Sequence, residues 1–189
     1  VSVLAHFSPA DLGSFEGLAV GGIDGKDLWS GPEQAQVVEV GLDHQTADGT
    51  VIPGGSQTLL LDGSPDAKMN DWASTPVSAP DGTTYFRYLF YAEDIGTEQD
   101  PGEIFVRMAG WSVYTAAKYL DGVIELPGGN ALEVDTENGL PTGVVHMLVG
   151  RLNVEDGNIT SIDAWLNPSY ADEGSPDVTG MYDPGTPIS

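Results

Sequence analysis

Val144-Val145-His146-Met147-Leu148-Val149-Gly150-Arg151-Leu152-Asn153-Val154 runs into Glu155-Asp156-Gly157-Asn158, and Ile159-Thr160-Ser161-Ile162-Asp163-Ala164-Trp165-Leu166 follows at once. Two apolar-rich segments separated by a four-residue loop with Asp-Gly at its centre read as an antiparallel β-hairpin, because Asp-Gly supplies the positive φ angles that a tight turn demands. In the second segment Ile162, Ala164 and Leu166 fall on one face and Ser161, Asp163 and Trp165 on the other. The hairpin therefore has one apolar face and one mixed face.

Outward from this unit the same grammar recurs. Strand-like runs lie at Gln36–Leu42, Gln57–Leu61, Thr83–Ala92, Glu103–Ala109 and Ala131–Asp135. Asp48-Gly49, Asp62-Gly63 and Asp81-Gly82 punctuate them as turns. Helical periodicity is scarce, and its best stretch, Ser112 to Leu120, is too short for a bundle. The pattern predicts an all-β chain of two packed antiparallel sheets, a jelly-roll sandwich over residues 1–171. The remaining residues 172–189, rich in Pro, Gly and Asp, read as a meandering tail. No internal repeat or splitting linker is visible.

The charge balance narrows the partners. Twenty-nine acidic residues stand against 6 basic ones, for a formal net charge of −23. Nucleic acid and anionic membrane surfaces both require clustered Lys and Arg, so neither is expected to bind. Such acidity suits either solubility in salty surroundings or divalent-cation binding by loop carboxylates. Cysteine is absent, which rules out disulfides and thiolate metal sites. No apolar run approaches the roughly 20 residues of a membrane-spanning helix. A chain beginning with Val1 is expected to have been processed after a signal peptide, or trimmed.

The run HMLVGRLNVEDGNITSIDAWLNPSY, His146 to Tyr170, resembles a signature of secreted bacterial proteins with a laminin-G-like, concanavalin-A-like jelly roll, many of which end in a PEP-CTERM-type sorting tail. Leu148, Val149, Arg151, Leu152, Trp165, Asn167 and Pro168 carry the match. Gly21-Gly22 and Trp29-Ser30-Gly31 are similar to the glycine-rich segment near the mature start of such proteins, and Gly41-Leu42-Asp43 and Tyr85 to Tyr91 follow in the expected order. The resemblance implies a jelly-roll fold, export to the cell surface or beyond, and a binding role. It implies no catalytic site, and no sorting tail is visible after Gly185.

Several constellations carry chemistry. Glu133-Val134-Asp135-Thr136-Glu137 has the E-x-D-x-E spacing of a retaining glucanase strand, with Glu133 and Glu137 on one face, but Asn138-Gly139 interrupts it and no aromatic-rich run precedes it. His6, His44 and His146 offer neither a nucleophile's base nor zinc-ligand spacing. Asp62, Asp66, Asn70 and Asp71 gather oxygen ligands in a turn-rich stretch and are the candidate calcium site. Glu155, Asp156 and Asn158 form a second oxygen-rich group at the hairpin tip.

Arg87, Arg107 and Arg151 sit within strands, whereas the lysines lie in or near loops. Along Thr83–Ala92, Phe86, Tyr88 and Phe90 share one face, and Tyr85, Arg87, Leu89 and Tyr91 share the other. Tyr85, Arg87, Tyr91, Arg107, Asp163 and Trp165 are therefore the candidate ligand-binding platform, suited to stacking on and hydrogen-bonding to a sugar. The same residues also suit structural ion pairs on a covered sheet face. Three functions follow: an exported, non-catalytic module for glycan or extracellular matrix with structural calcium; a self-assembling surface-layer, sheath or filament subunit; or a glucanase-like hydrolase using Glu133 and Glu137.

Overall fold

A computed structural model describes residues 2–8, 15, 17–26, 30–31, 35–62, 80–93, 103–108, 113–118, 122–126, 130–133, 139–169 and 174–181. These residues are all-β, with antiparallel sheets and no helix, an arrangement consistent with a β-sandwich. The strands are β1 (Ser2–Ser8), β2 (Gly21–Gly22), β3 (Ala35–Val38), β4 (His44–Gln45), β5 (Val51–Ile52), β6 (Thr58–Asp62) and β7 (Gly82–Ala92). They continue as β8 (Glu103–Met108), β9 (Val113–Lys118), β10 (Val123–Leu126), β11 (Asn130–Glu133), β12 (His146–Glu155), β13 (Asn158–Leu166) and β14 (Val178–Met181). An eight-stranded sheet runs β14-β13-β12-β7-β1-β6-β3-β2, a four-stranded sheet runs β11-β10-β9-β8, and among the described residues β4 pairs with β5 alone.

The hairpin expected from Val144 to Leu166 is β12–β13. Its strands reach one residue further into the turn than their apolar runs, so Glu155 pairs with Asn158 and the loop shrinks to two residues. Asp156 and Gly157 both have positive φ, 50° and 71°, the requirement of the turn whose twist matches its strands. The register shifts once, between Asn153 and Val154, at a β-bulge.

Two stretches outside the strand-like runs also contain strands. Within the stretch of best helical periodicity, Val113–Lys118 is β9, paired with β8 and β10. Local helix propensity in Ala116 and Ala117 amounts to a few tenths of a kcal/mol, which the gain from two flanking ladders outweighs. The Pro/Gly/Asp-rich stretch after 171 contains a strand as well, since β14 pairs with β13 at the edge of the larger sheet.

Burial follows the expected alternation. Phe86, Tyr88, Phe90 and Ala92 on β7, Leu148 and Leu152 on β12, and Ile162 and Ala164 on β13 are all buried, and they form the apolar face of the larger sheet. Gly150 lies opposite Phe86, and a Cβ at Gly150 would overlap the Phe86 ring. At the other end of the sheet Phe15, Ile23, Ala35, Val37 and Leu59 form a separate apolar cluster. Full burial of each large apolar side chain contributes about 1.5–3 kcal/mol.

The opposite, mixed face is partly covered. Leu89 and Met147 on that face pack with Leu42 and Ile52, which flank and belong to the β4–β5 hairpin, and Tyr91, Val145 and Val149 pack around them. The hairpin region therefore lies over one end of the mixed face. Gly54 permits the close approach, since a Cβ there would meet the Leu42 carbonyl and the Leu89 side chain. Among the described residues no helix is long and apolar enough to cross a membrane.

Candidate functional site

The uncovered end of the mixed face is organised in rows across strands. Directly opposite residues on antiparallel strands point their side chains to the same side. The pairings Thr179↔Asp163, Asp163↔Arg151 and Arg151↔Tyr85 therefore set four side chains in line across β14, β13, β12 and β7. Arg151 donates from Nε at 2.9 Å and from Nη2 at 2.7 Å to Asp163 Oδ2. Thr179 Oγ1 donates to Asp163 Oδ1 at 2.6 Å. The guanidinium is also hydrogen-bonded to Tyr85; that bond, and then those to Asp163, raise the Arg151 pKa further above its ordinary value. A charge-assisted row of this kind holds its members in one geometry.

A parallel row lies one step nearer the hairpin tip. Thr83 Oγ1 donates to Asn153 Oδ1 at 3.1 Å, and Asn153 Nδ2 donates to Ser161 Oγ at 2.8 Å. Beside it, Asp81, Thr83, Asn153, Glu155, Asp156 and Thr160 line a shallow open depression. Asp81 Oδ1 accepts from the Gly157 N–H at 2.8 Å and ties the tip of β12–β13 to the start of β7. Glu155 and Asp156 are exposed there, and Asn158 donates to the Asp156 carbonyl at 3.0 Å. Among the described residues no three His, Asp or Glu side chains are placed to share a metal ion.

The expected platform residues separate in the structure. Tyr85 is 44% exposed, and Arg87 and Tyr91 are half-buried on the same face of β7. Asp163 and Trp165 are on that face too, but at 5% and 3% exposure neither is open to a ligand. The Arg151 guanidinium carbon stands 5.2 Å from the centre of the Trp165 ring, so the indole supports Arg151 through a cation–π contact. Tyr91 sits at the end covered by the β4–β5 region. Arg107 is on β8, in the four-stranded sheet rather than beside Tyr85, and its side chain lies outside the described residues.

Asp62 ends β6, while Asp66, Asn70 and Asp71, with the Asp62 side chain, lie outside the described residues. Glu133 ends β11; its side chain and all of Glu137 are outside them as well. Arg151, Thr83, Asn153 and Thr179 were not singled out as platform members from sequence. Alternation alone places Arg151 and Asn153 on one face of β12, but only the register of β12 against β7 brings that face beside Tyr85.

His44 and His146 bond to backbone carbonyls. His44 Nδ1 lies 2.8 Å from the Val145 carbonyl, and His146 Nε2 lies 2.8 Å from the Pro141 carbonyl. A carbonyl only accepts, so each of these ring nitrogens carries the proton. His146 Nδ1 then accepts from Asn167 Nδ2 at 3.1 Å. Burial lowers the His146 pKa; the Pro141 bond opposes that shift and the charge of His44 adds to it. Asn167, at a φ of 51°, also exchanges two bonds with Met147: Met147 N donates to Asn167 Oδ1 at 2.8 Å, and Asn167 N donates to the Met147 carbonyl at 2.7 Å. The Asn of the Asn167-Pro168 pair thus fastens the end of β13 to the start of β12.

Comparison with known protein families, curated proteins and solved structures finds no significant match to this chain.

Proposed function

We propose that this chain is a non-catalytic, exported glycan-binding module with a jelly-roll fold of the laminin-G-like, concanavalin-A-like kind. The ligand lies on the uncovered end of the mixed sheet face. The observation that carries this reading is Tyr85, an aromatic ring 44% exposed beside a guanidinium that Asp163 holds in place. An open aromatic face next to fixed polar groups matches what a pyranose offers, an apolar C–H face ringed by hydroxyls. Thr83, Asn153 and Thr179 continue the polar surface on either side.

A chain of net charge −23 repels sugar acids, so neutral glycans are the expected class. Neutral polysaccharides of an extracellular matrix belong to that class. Calcium bound by Asp62, Asp66, Asn70 and Asp71 would be structural and stands on the sequence alone.

The test is calorimetric titration and array binding with neutral oligosaccharides, using the wild type and Tyr85→Ala. Saturable binding that weakens at least tenfold in Tyr85→Ala supports the reading. Unchanged affinity in that variant, or no binding to any neutral glycan, overturns it.

A further inference from the structure

Two asparagines stand at opposite ends of β13 and are used differently. Asn158 opens the strand, and Asn167 follows its last residue. Asn167 is committed to the fold: its amide nitrogen donates to His146 Nδ1 at 3.1 Å and its amide oxygen accepts from Met147 N at 2.8 Å. Asn158 Nδ2 donates at 3.0 Å to the carbonyl of Asp156, two residues back, in an exposed position. A local surface bond of this kind exchanges with water at little cost.

Asn158-Ile159-Thr160 is an Asn-x-Thr triplet, the acceptor sequence for N-linked glycosylation, whose middle residue is anything but proline. The chain has 6 asparagines, at positions 70, 130, 138, 153, 158 and 167, and only that at 158 completes the triplet. Asn167-Pro168-Ser169 has its hydroxyl residue in place, but the intervening proline disqualifies it.

The fold presents the triplet at a surface. Ile159 is 1% exposed and anchors it in the core, while Asn158 and Thr160 on either side are half-buried. Residues two apart on a strand share a face, so the amide and the hydroxyl stand on the same side. Thr160 is the extra residue of the bulge, since Asn153 lies opposite Ser161 and Val154 opposite Ile159. Its Oγ1 donates to the Asn153 carbonyl at 3.1 Å. Immediately before the triplet Glu155, Asp156 and Gly157 are all exposed. Asp156 and Thr160 line the open depression that also takes in Asp81, Thr83 and Asn153. A sugar on Asn158 thus has solvent on one side and hydroxyl, amide and carboxylate groups on the other.

We propose that Asn158 is an N-glycosylation site, the acceptor of an oligosaccharide that covers the tip of the β12–β13 hairpin. The donor is an oligosaccharide carried on a lipid through a phosphate ester. Asn158 Nδ2 forms a bond to the anomeric carbon as the bond from that carbon to the phosphate oxygen breaks. The phosphate leaves with the electron pair, and the amide gives up one N–H proton. The Thr160 hydroxyl is the part of the acceptor sequence that the transferase recognises, and it is not consumed. Acceptor triplets of this kind are used at the surface of exported chains. The inference therefore rests on the export part of the proposed function and not on glycan binding at Tyr85.

Peptide mass spectrometry of the full chain isolated from the cells that naturally make it, traced through medium, cell-surface and cytoplasmic fractions, tests the proposal. Fragmentation of the exported protein should place a glycan mass on Asn158 and none on Asn167. Asn158→Gln and Thr160→Ala, expressed in the same cells, should lose that mass, and Thr160→Ser, which restores the hydroxyl, should keep it. An unmodified Asn158 in exported protein overturns the glycosylation and leaves export standing. A chain recovered only from the cytoplasm overturns export and the glycosylation with it. A glycan that persists in Asn158→Gln lies elsewhere and overturns the assignment as well.

Discussion

Arg151 and Asp163 face each other across β12 and β13, and one carboxylate oxygen, Asp163 Oδ2, receives two guanidinium N–H groups at 2.9 and 2.7 Å. The pair is asymmetric in its exposure: the Asp163 side chain is 7% accessible and that of Arg151 29%. The carboxylate is the buried partner, and the arginine is the one that reaches solvent.

Removing the buried partner should therefore cost more than neutralising it in place. Asp163→Ala removes the carboxylate that accepts from Arg151 and Thr179 and is expected to destabilise the fold by about 2–3 kcal/mol. Asp163→Asn, which keeps an acceptor oxygen, should cost less. Urea denaturation of both variants measures the difference. Equal stabilities of Asp163→Ala and wild type would show that the row contributes nothing to folding.

Gly150→Ala tests the close approach beneath Phe86. The added methyl overlaps the ring, and overpacking of this kind costs about 1–3 kcal/mol. Phe86→Leu alone should also destabilise, yet combined with Gly150→Ala it should recover part of the loss. A strictly additive double-mutant cycle would contradict the contact.

Asn167→Ala removes the side-chain bonds to Met147 N and His146 Nδ1 and places a Cβ-bearing residue without a local polar side chain at positive φ. A loss of about 2 kcal/mol is expected from these causes together. Asn167→Asp should behave differently, because a carboxylate accepts from a protonated His146. The His146 titration midpoint, read by NMR, should rise in Asn167→Asp relative to wild type.

Stability should also depend on pH through His146. Its pKa in the folded chain lies below the ordinary 6.5, chiefly because burial disfavours the charged ring. The unfolded chain thus binds the extra proton first as pH falls. The contribution is fully present above pH 6.5 and is lost as pH drops through that value towards the folded midpoint, with a slope of at most about 1.4 kcal/mol per pH unit for one group. Denaturation at pH 7.5, 6.0 and 5.0 measures it, and His146→Gln should flatten the curve.

Much of the fold is legible in the chain. Thr83–Ala92 and Ile159–Leu166 come within a residue of β7 and β13, because their turns carry Asp-Gly and their apolar residues alternate. Four of the missed strands lack such marks. β2, β4 and β5 have two residues each, too short for any period to show. In β1, Val3, Leu4, Ala5, His6 and Phe7 give no clean alternation.

The site was legible only along each strand. Sequence places Tyr85, Arg87, Leu89 and Tyr91 on one face, and the structure keeps them there. It does not show that Leu42 and Ile52, some forty residues earlier, cover Leu89, or that Arg107 joins a different sheet. Trp165 alternates like an open platform residue, yet it is buried at 3% exposure with Arg151 above it. Those facts depend on which strands become neighbours, and pairing is a property of the whole chain rather than of any segment.

The position of β1 has a consequence for the order of assembly. Among the described strands, β1 alone joins the β14-β13-β12-β7 half of the larger sheet to the β6-β3-β2 half. It is made before either neighbour, and its register with β7 sets Val3 against Ala92. During synthesis this segment must wait, unpaired on one side at least, until β7 has emerged. Closing so long a loop is slow. The two halves become one sheet only when this earliest strand is enclosed between β6 and β7.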